Sequence, residues 1–158
     1  MVGSSAQTFS PQKLLTRAEM VQILYNIEGG TVERLDHFKD VDNGKWYAKA
    51  VNWACEKGLI NGYANGTFRP DKAATREELV SVIHRYAQYK SYDTDAVKDS
   101  AFSGFTDGKK VSTWARNAMQ WAVSEGIISG KPGGKLDPKG TATRAETAQI
   151  FMGLLKNR

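Results

Sequence analysis

Residues 66–86 decide the fold, and they read GTFRPDKAATREELVSVIHRY. Thr75 and Glu78 have the Thr-x-x-Glu spacing of a capping box, in which two side chains satisfy backbone N–H groups at a helix start. Apolar side chains then recur with the period of a helix, at Leu79, Val82, Ile83 and Tyr86. The stretch therefore predicts a loop that ends at Thr75 and an amphipathic helix that follows it.

The same pattern occurs three times at fixed offsets. Residues 8–19 match residues 67–78 at an offset of 59, and residues 114–146 match residues 46–78 at an offset of 68. Only the second half of the first copy is present, so the chain holds about two and a half copies. Each complete copy is predicted to be helix, loop, helix.

The copies predict an all-α protein of helix-loop-helix repeats. Residues 1–30 form half a copy, 36–90 a second copy, 91–101 a polar connection and 102–158 a third copy. The first helices are predicted from about Trp46 to Lys57 and from about Trp114 to Glu125. A single helix pair cannot bury its apolar face alone, so the copies should pack together with pseudo-threefold symmetry.

Charge and composition restrict the possible partners. The 158 residues carry a net charge of +5 and an isoelectric point near 9.3, which favours an anionic partner. Cys55 is the single cysteine, and the two histidines have no metal-ligand spacing, so neither a metal nor a cofactor is predicted. No apolar run reaches 18 residues, and the N-terminal residues lack the features of a signal peptide.

An arginine follows the capping threonine in every copy, at Arg17, Arg76 and Arg144. Capping does not require it, and a positive charge is unfavourable at a helix N-terminus. One explanation is an anionic ligand bound by the guanidinium and free helix N–H groups. The other is a salt bridge to an acid of a neighbouring copy, such as Asp40 or Asp107. The residues alone leave both open.

Tryptophans and loop lysines are further candidates. Trp46 and Trp114 precede Trp53 and Trp121, and such side chains either pack in a core or stack on sugar rings. Lys72 and Lys13 occupy one equivalent loop position, three residues before the threonine. Further lysines follow in the loop of the third copy, at Lys131, Lys135 and Lys139.

These motifs resemble the S-layer homology (SLH) family. The matching residues are Phe38-x-Asp40-Val41, Trp46, Gly58-Leu59-Ile60-x-Gly62, Gly66-Thr67-Phe68-x-Pro70 and Thr75-Arg76-x-Glu78. The resemblance implies a secreted module at the bacterial cell surface or cell wall. It also implies non-covalent binding to a peptidoglycan-linked secondary cell-wall polysaccharide, often through a pyruvate ketal.

The resemblance also implies the site residues. Arg17, Arg76 and Arg144 match the family's main ligand residue. The groove is expected to be shaped by Gly62, Gly130, Asp40, Trp46, Asp107 and Trp114. Lys72 joins them as a loop cation. Because the first copy lacks its first half, one groove is incomplete or a second chain completes it in a homodimer.

Other functions are weaker readings of the sequence. No nucleophile–base pair or isolated carboxylate pair is present, so an enzyme is not predicted. Basic residues form no single stripe, which disfavours nucleic-acid binding. Membrane insertion is not predicted. The alternative to polysaccharide binding is a surface-layer assembly module whose arginines form salt bridges between repeats.

Overall fold

A computed structural model describes residues 11–156, and its regular elements within that range are helical. The five α-helices are α1 (Arg17–Glu28), α2 (Ala48–Glu56), α3 (Arg76–Tyr89), α4 (Arg116–Ser124) and α5 (Arg144–Lys156). Two 3-10 turns, Gly108–Lys110 and Thr113–Ala115, precede α4. The predicted all-α class is confirmed, while the pseudo-threefold arrangement of the copies stays a prediction.

The capping threonines begin three of these helices. Thr16 accepts a hydrogen bond from the Glu19 N–H at 3.1 Å, and the Glu19 carboxylate accepts from the Thr16 N–H at 3.0 Å. Thr143 and Glu146 make the same reciprocal pair. Thr75 also accepts from the backbone of the third helical residue. The predicted starts of α1, α3 and α5 are therefore explained by local hydrogen bonds.

The first helices of the two complete copies, α2 and α4, are shorter than predicted. α2 begins at Ala48, because the chain before it forms turns in which Lys45 N–H donates to Asp42 and Ala48 N–H donates to Lys45. Trp114 lies in a 3-10 turn, and α4 begins two residues later. The expectation that tryptophans open these helices is wrong, since both precede the first α-helical residue.

The described part of the chain divides into two compact units, residues 15–74 and residues 75–156 together with residues 11–14. In the first unit α1 packs on α2, and Trp53 at their junction is fully buried. In the second unit α3 packs on α4, and Trp121 is fully buried there. Each pair therefore joins the second helix of one copy to the first helix of the next.

The predicted apolar positions are buried in two of the three helices that begin at a Thr-Arg motif. The four predicted positions of α3 are buried, and so are the equivalent positions of α5, Thr147, Ile150, Phe151 and Leu154. Of the equivalent positions of α1, Met20 and Leu24 are buried, Ile23 is half-buried and Ile27 is 51% exposed, because Ile27 falls in the last turn before the chain leaves the helix at Gly29. Within residues 11–156, no helix has both the length and the apolar character that crossing a bilayer requires.

Candidate functional site

The first turn of α1 is covered by the loop that precedes α3. Arg17 N–H donates to the Lys72 carbonyl and Ala18 N–H donates to the Pro70 carbonyl, each at 2.9 Å. The next N–H, that of Glu19, donates to the Thr16 hydroxyl. These three N–H groups already have backbone or side-chain acceptors, so they are not available to an anion.

The other two arginine helices begin in the same way. Arg76 N–H donates to the Gly140 carbonyl at 2.8 Å, and Arg144 N–H donates to the Lys13 carbonyl at 3.0 Å. Glu77 and Ala145 donate to the proline carbonyls of the same two loops. The expectation of free helix N–H groups is therefore wrong in all three copies. An anion is therefore not bound by these N–H groups, and the side chains of the loops are the remaining candidates.

Asp40 and Asp107 hold the loops rather than the arginines. Asp40 accepts from the N–H groups of Phe68 and Arg69, both at 2.8 Å. Asp107 accepts from Leu136 and Asp137 at 2.9 and 2.8 Å. Burial acts to raise the pKa of Asp107, but these hydrogen bonds outweigh it and leave the pKa below its ordinary value.

Gly62 and Gly130 allow each loop to lie against a phenylalanine. Their φ angles are 73° and 86°, in the left-handed region. A Cβ on Gly62 would lie 2.3 Å from the Phe38 ring, and one on Gly130 would lie 2.5 Å from the Phe105 ring. Both glycines therefore shape the loop that carries the candidate ligand residues.

A cluster of cations surrounds Tyr63 in the first unit. The guanidinium carbons of Arg17 and Arg69 lie 4.8 and 4.0 Å from the centre of its ring, and the Lys72 ammonium lies 5.8 Å away. Arg17 is 8% exposed, and its Nε donates to the Phe68 carbonyl at 2.9 Å. Arg69 and Lys72 are exposed, so the cluster has a buried back and an accessible front. We call Arg17, Tyr63, Arg69 and Lys72 the Tyr63 cluster.

The equivalent loop in the second unit has the same backbone and different charges. Arg76 Nε donates to the Leu136 carbonyl at 2.9 Å, and its guanidinium also pairs with Glu146. Lys131 and Asp137 stand where Tyr63 and Arg69 stand, and they form an ion pair at 2.8 Å. Arg76 and Lys131 are thus paired with acids of the same unit.

Lys139 extends this internal pairing. Its ammonium contacts the Glu77 carboxylate at 2.7 Å and also bonds to the Ser112 hydroxyl. Glu77 is 2% exposed and additionally accepts from the Ser112 N–H at 2.9 Å. An inter-copy salt bridge of the predicted kind therefore exists at Arg76, but its acid is Glu146 rather than Asp107.

Arg144 is placed at the start of α5 and is 3% exposed. Lys13, in the loop that accepts its N–H, is exposed. Residues 1–10 lie outside the described residues.

The four tryptophans divide into two classes. Trp53 and Trp121 are fully buried, whereas Trp46 and Trp114 are 63% and 58% exposed. Trp46 stands edge-on to Tyr47, with ring centroids 5.1 Å apart. Burial and the nearby carboxylate of Asp71 raise the pKa of Tyr47. The exposed pair can stack on a sugar ring, and the buried pair cannot.

The sequence prediction missed Arg69 and did not include Tyr63 among the site residues. The signal was available in the repeat itself, because residue 69 becomes Asp137 and residue 63 becomes Lys131 in the third copy. A position that changes charge between copies of one loop indicates different tasks for the two loops. The described residues contain no group of three or more His, Cys, Asp or Glu side chains arranged to hold a metal.

Comparison with known proteins gives one family. The S-layer homology domain matches residues 37–80 and 104–148, together more than half of the chain. The chain is similar to "Exoglucanase XynX" of Acetivibrio thermocellus, with 37% identity over 98% of the chain and 14% of the relative. It is similar to the "Surface-layer 125 kDa protein" of Lysinibacillus sphaericus, with 30% identity over 98% of the chain and 13% of the relative.

A third relative is the "Cellulosome-anchoring protein" of Acetivibrio thermocellus. It is 27% identical over 94% of the chain, which corresponds to 34% of that protein. The chain thus spans about a third or less of the length of these relatives. The similarity concerns a module that occurs beside very different neighbours.

Proposed function

The chain belongs to the S-layer homology family, and we propose that its Tyr63 cluster binds an anionic secondary cell-wall polysaccharide. The chain is a cell-surface module, in keeping with its family and with relatives named for surface layers and cellulosome anchoring. The enzymes among its relatives match over a small fraction of their length, so the shared module supports anchoring rather than catalysis.

The observation that carries the proposal is the convergence of three cations on one half-buried ring. Arg69 and Lys72 form no ion pair among the described residues, and Lys72 makes one long hydrogen bond, 3.5 Å, to the Tyr63 hydroxyl. Because neither cation is neutralised by an ion pair, the two repel each other, and an anionic ligand relieves that repulsion. A carboxylate such as that of a pyruvate ketal is small enough to accept hydrogen bonds from both cations at once.

The exposure of each side chain in the Tyr63 cluster indicates the role we propose for it. Arg17 lies at the buried back and holds the Phe68 carbonyl, so it positions the loop as well as contributing charge. Arg69 and Lys72 contact the ligand from the front. Trp46, exposed beside Tyr47, supplies a ring face for a neighbouring sugar. Arg144 and Trp114 are proposed secondary contacts in the third copy, whereas Arg76 is assigned a structural role because it is paired with Glu146.

The test is binding to purified cell walls before and after removal of the secondary polymer. We expect the chain to sediment with intact walls and to stay in solution with stripped walls. Equal binding to both would contradict the proposal. Walls that carry the polymer without pyruvate separate the two levels of the hypothesis, since loss of binding there assigns the pyruvyl carboxylate as the recognised group.

A charge-removal variant locates the site. Arg69→Asn removes one cation, and asparagine tolerates the left-handed conformation that Arg69 adopts at φ 58°. We expect wall affinity to fall about 10-fold, the value of one charge-assisted hydrogen bond. The matched control is Lys49→Gln, which removes the same charge from an exposed position of α2. An equal loss in both variants would indicate a general charge effect.

A surface-layer assembly module is the second candidate. The Arg76–Glu146 pair favours it, because that arginine is committed to an acid of the following copy. A homodimer that supplies the missing half copy remains a prediction. Its signature is a doubled mass in solution.

A further inference from the structure

Asparagine is followed by glycine at three places in the first complete copy, Asn43-Gly44, Asn61-Gly62 and Asn65-Gly66. An asparagine side chain in this context can lose ammonia, because glycine has no Cβ to hinder attack by its own backbone nitrogen. The attack also requires a carboxamide that can turn and a backbone N–H that can give up its proton. The fold therefore decides which of the three pairs reacts.

Asn65 is held by its own loop. Its side-chain oxygen accepts from the Thr67 N–H at 3.2 Å and from the Thr67 hydroxyl at 2.6 Å. The Gly66 N–H donates to the Tyr63 carbonyl at 3.0 Å. Both reacting groups are thus engaged in hydrogen bonds, which must break before the nitrogen can reach the side-chain carbon.

Asn61 is exposed, but the glycine that follows it is packed. A Cβ on Gly62 would lie 2.3 Å from the Phe38 ring and 2.8 Å from the Thr67 carbonyl oxygen, so the backbone at this glycine has little room. Moving the Gly62 nitrogen toward the Asn61 side chain would disturb the buried Phe38 ring. This pair is therefore expected to react slowly.

Asn43 lies in an open turn. The Lys45 N–H donates to the Asp42 carbonyl at 3.0 Å, which places Asn43 and Gly44 at the two central positions of the turn. Both residues are exposed, and a Cβ on Gly44 would meet nothing within 4 Å. Among the described residues the Asn43 carboxamide has no hydrogen-bond partner.

The Gly44 N–H is only weakly held. Its acceptor is the Asp42 carboxylate, at 3.3 Å and exposed to solvent. This side chain can rotate away without moving the backbone, whereas the Tyr63 carbonyl that accepts from Gly66 belongs to the loop itself. Of the three pairs, Asn43-Gly44 thus meets the requirements for attack best.

We propose that Asn43 is a site of spontaneous deamidation, with water as the only co-reactant. The Gly44 nitrogen forms a bond to Cγ of Asn43, the bond from Cγ to Nδ2 breaks, and the departing ammonia carries away the proton that the nitrogen loses. Water then opens the cyclic imide. Attack at the side-chain carbonyl gives aspartate, attack at the main-chain carbonyl gives isoaspartate, and neither step is a redox change.

The products alter the charge and the length of the turn. A carboxylate replaces a neutral amide beside Asp42, and in isoaspartate the main chain gains a methylene between Asp42 and Lys45. We therefore expect the hydrogen bond from Lys45 to Asp42 to be lost in the isoaspartate form. At the same distance before its tryptophan, the third copy has Val111-Ser112, which cannot react in this way.

The experiment incubates the whole chain in mildly alkaline buffer made with oxygen-18 water and follows peptide masses over time. A parallel sample in denaturant gives the rates of the three pairs without the fold. In the folded chain we expect Asn43 to react first and Asn65 at least about 10-fold more slowly, because its hydrogen bonds must break. In denaturant the three rates should converge.

Glycine variants test the route. Gly44→Ala places the hindering methyl group where the structure has room, so it should slow the reaction of Asn43 without loss of helix content. Gly104→Ala is the matched control, because Gly104 also has open space and does not follow an asparagine. In the isoaspartate product, the Lys45 amide should exchange with solvent faster than in fresh chain.

Three results would overturn the proposal. The first is an Asn43 that stays intact in the folded chain while the denatured chain reacts. The second is loss of ammonia from Asn61 or Asn65 as fast as from Asn43 in the folded chain. The third is an unchanged rate in Gly44→Ala, which would indicate direct hydrolysis. Wall binding does not enter these measurements, so they are independent of the polysaccharide proposal.

Discussion

The loops that precede α3 and α5 share one backbone and differ in their charges. In both, an aspartate binds two loop N–H groups, an arginine Nε binds a loop carbonyl, and a left-handed glycine lies against a phenylalanine. Tyr63, Arg69 and Lys72 of the first loop correspond to Lys131, Asp137 and Gly140 of the second.

The three positions therefore carry a charge of +2 in one loop and zero in the other. Arg69 and Lys72 form no ion pair among the described residues, whereas Lys131 and Asp137 are paired with each other. The repeat thus keeps its backbone frame constant and varies the charge at three positions, and we propose that this difference decides which loop takes a ligand.

Exchanging the charges should have the largest effect. The variant Tyr63→Lys, Arg69→Asp, Lys72→Gly gives the first loop the side chains of the second. We expect affinity for pyruvylated wall oligosaccharide to fall about 100-fold or more, because at least two charge-assisted contacts are lost. Calorimetry measures the affinity, and circular dichroism checks the helix content. Unchanged affinity would show that the loop charge does not bind the ligand.

The reverse exchange gives the second loop the side chains of the first at two positions. Lys131→Tyr with Asp137→Arg places a ring and an exposed cation in the second loop. Gly140 is kept, so that the variant changes only the two residues that form the ion pair of this loop. We expect amide signals of residues 130–140 to respond to the oligosaccharide in this variant and to be silent in the parent chain.

Removing Arg76 tests whether the paired cations of the second unit stabilise the fold. Arg76→Ala leaves the Leu136 carbonyl and the Glu146 carboxylate without this donor. We expect the free energy of unfolding to fall by about 3 kcal/mol, the cost of breaking a largely buried pair. Lys131→Ala breaks a half-exposed pair and should cost less than about 1 kcal/mol. Denaturant midpoints measure both, and equal losses would contradict a structural Arg76.

The shared frame is tested at two glycines of the first unit. Gly62 and Gly58 both have φ 73°, but a Cβ on Gly62 meets the Phe38 ring and one on Gly58 meets nothing within 4 Å. Both alanine variants carry the left-handed cost of about 1 kcal/mol. Gly62→Ala should lose about 1–2 kcal/mol more, through crowding of a packed ring. Equal unfolding free energies would show that the close approach is not required.

The smallest expected effect is a difference in acid response between the units. Glu56 ends α2 and accepts from the N–H groups of Glu33 and Arg34 and from His37, and these hydrogen bonds lower its pKa from 4.5 to about 2. Ser124 is the equivalent residue of α4, and its hydroxyl accepts from the Lys98 N–H.

A carboxylate with a lowered pKa stabilises the fold above the unfolded value, and that stabilisation is lost as the pH falls through the folded value. The Arg34 amide signal should therefore move between about pH 4.5 and pH 2, with its midpoint near 2. The Lys98 amide should not follow this titration. A midpoint near 4.5 at Arg34 would contradict the hydrogen-bonded carboxylate.

Local signals explain why the fold could be predicted from the sequence. The three Thr-Arg starts and the period of Leu79, Val82 and Ile83 are local features, and the structure places helices where they indicate. Repetition then gave the same answer in each copy. The starts of α2 and α4 were less predictable, because turns before them compete with the helix.

The site was only partly predictable, because it depends on contacts across long sequence separations. Arg17 and Arg76 share the Thr-Arg-x-Glu start, and the loops against them differ at residues 63, 69 and 72 compared with 131, 137 and 140. The hydrogen bonds from the helix N–H groups to loop carbonyls could not be predicted either, since the Lys72 and Pro70 carbonyls that accept from α1 lie more than 50 residues away in the sequence.

Ligand binding by the Tyr63 cluster is tested most directly by an NMR titration of the labelled chain with pyruvylated wall oligosaccharide. We expect saturable shifts of the Tyr63 ring and of the Arg69 side chain, with Lys131 and Asp137 unmoved. Shifts at Lys131 and Asp137 with a silent Tyr63 would contradict it.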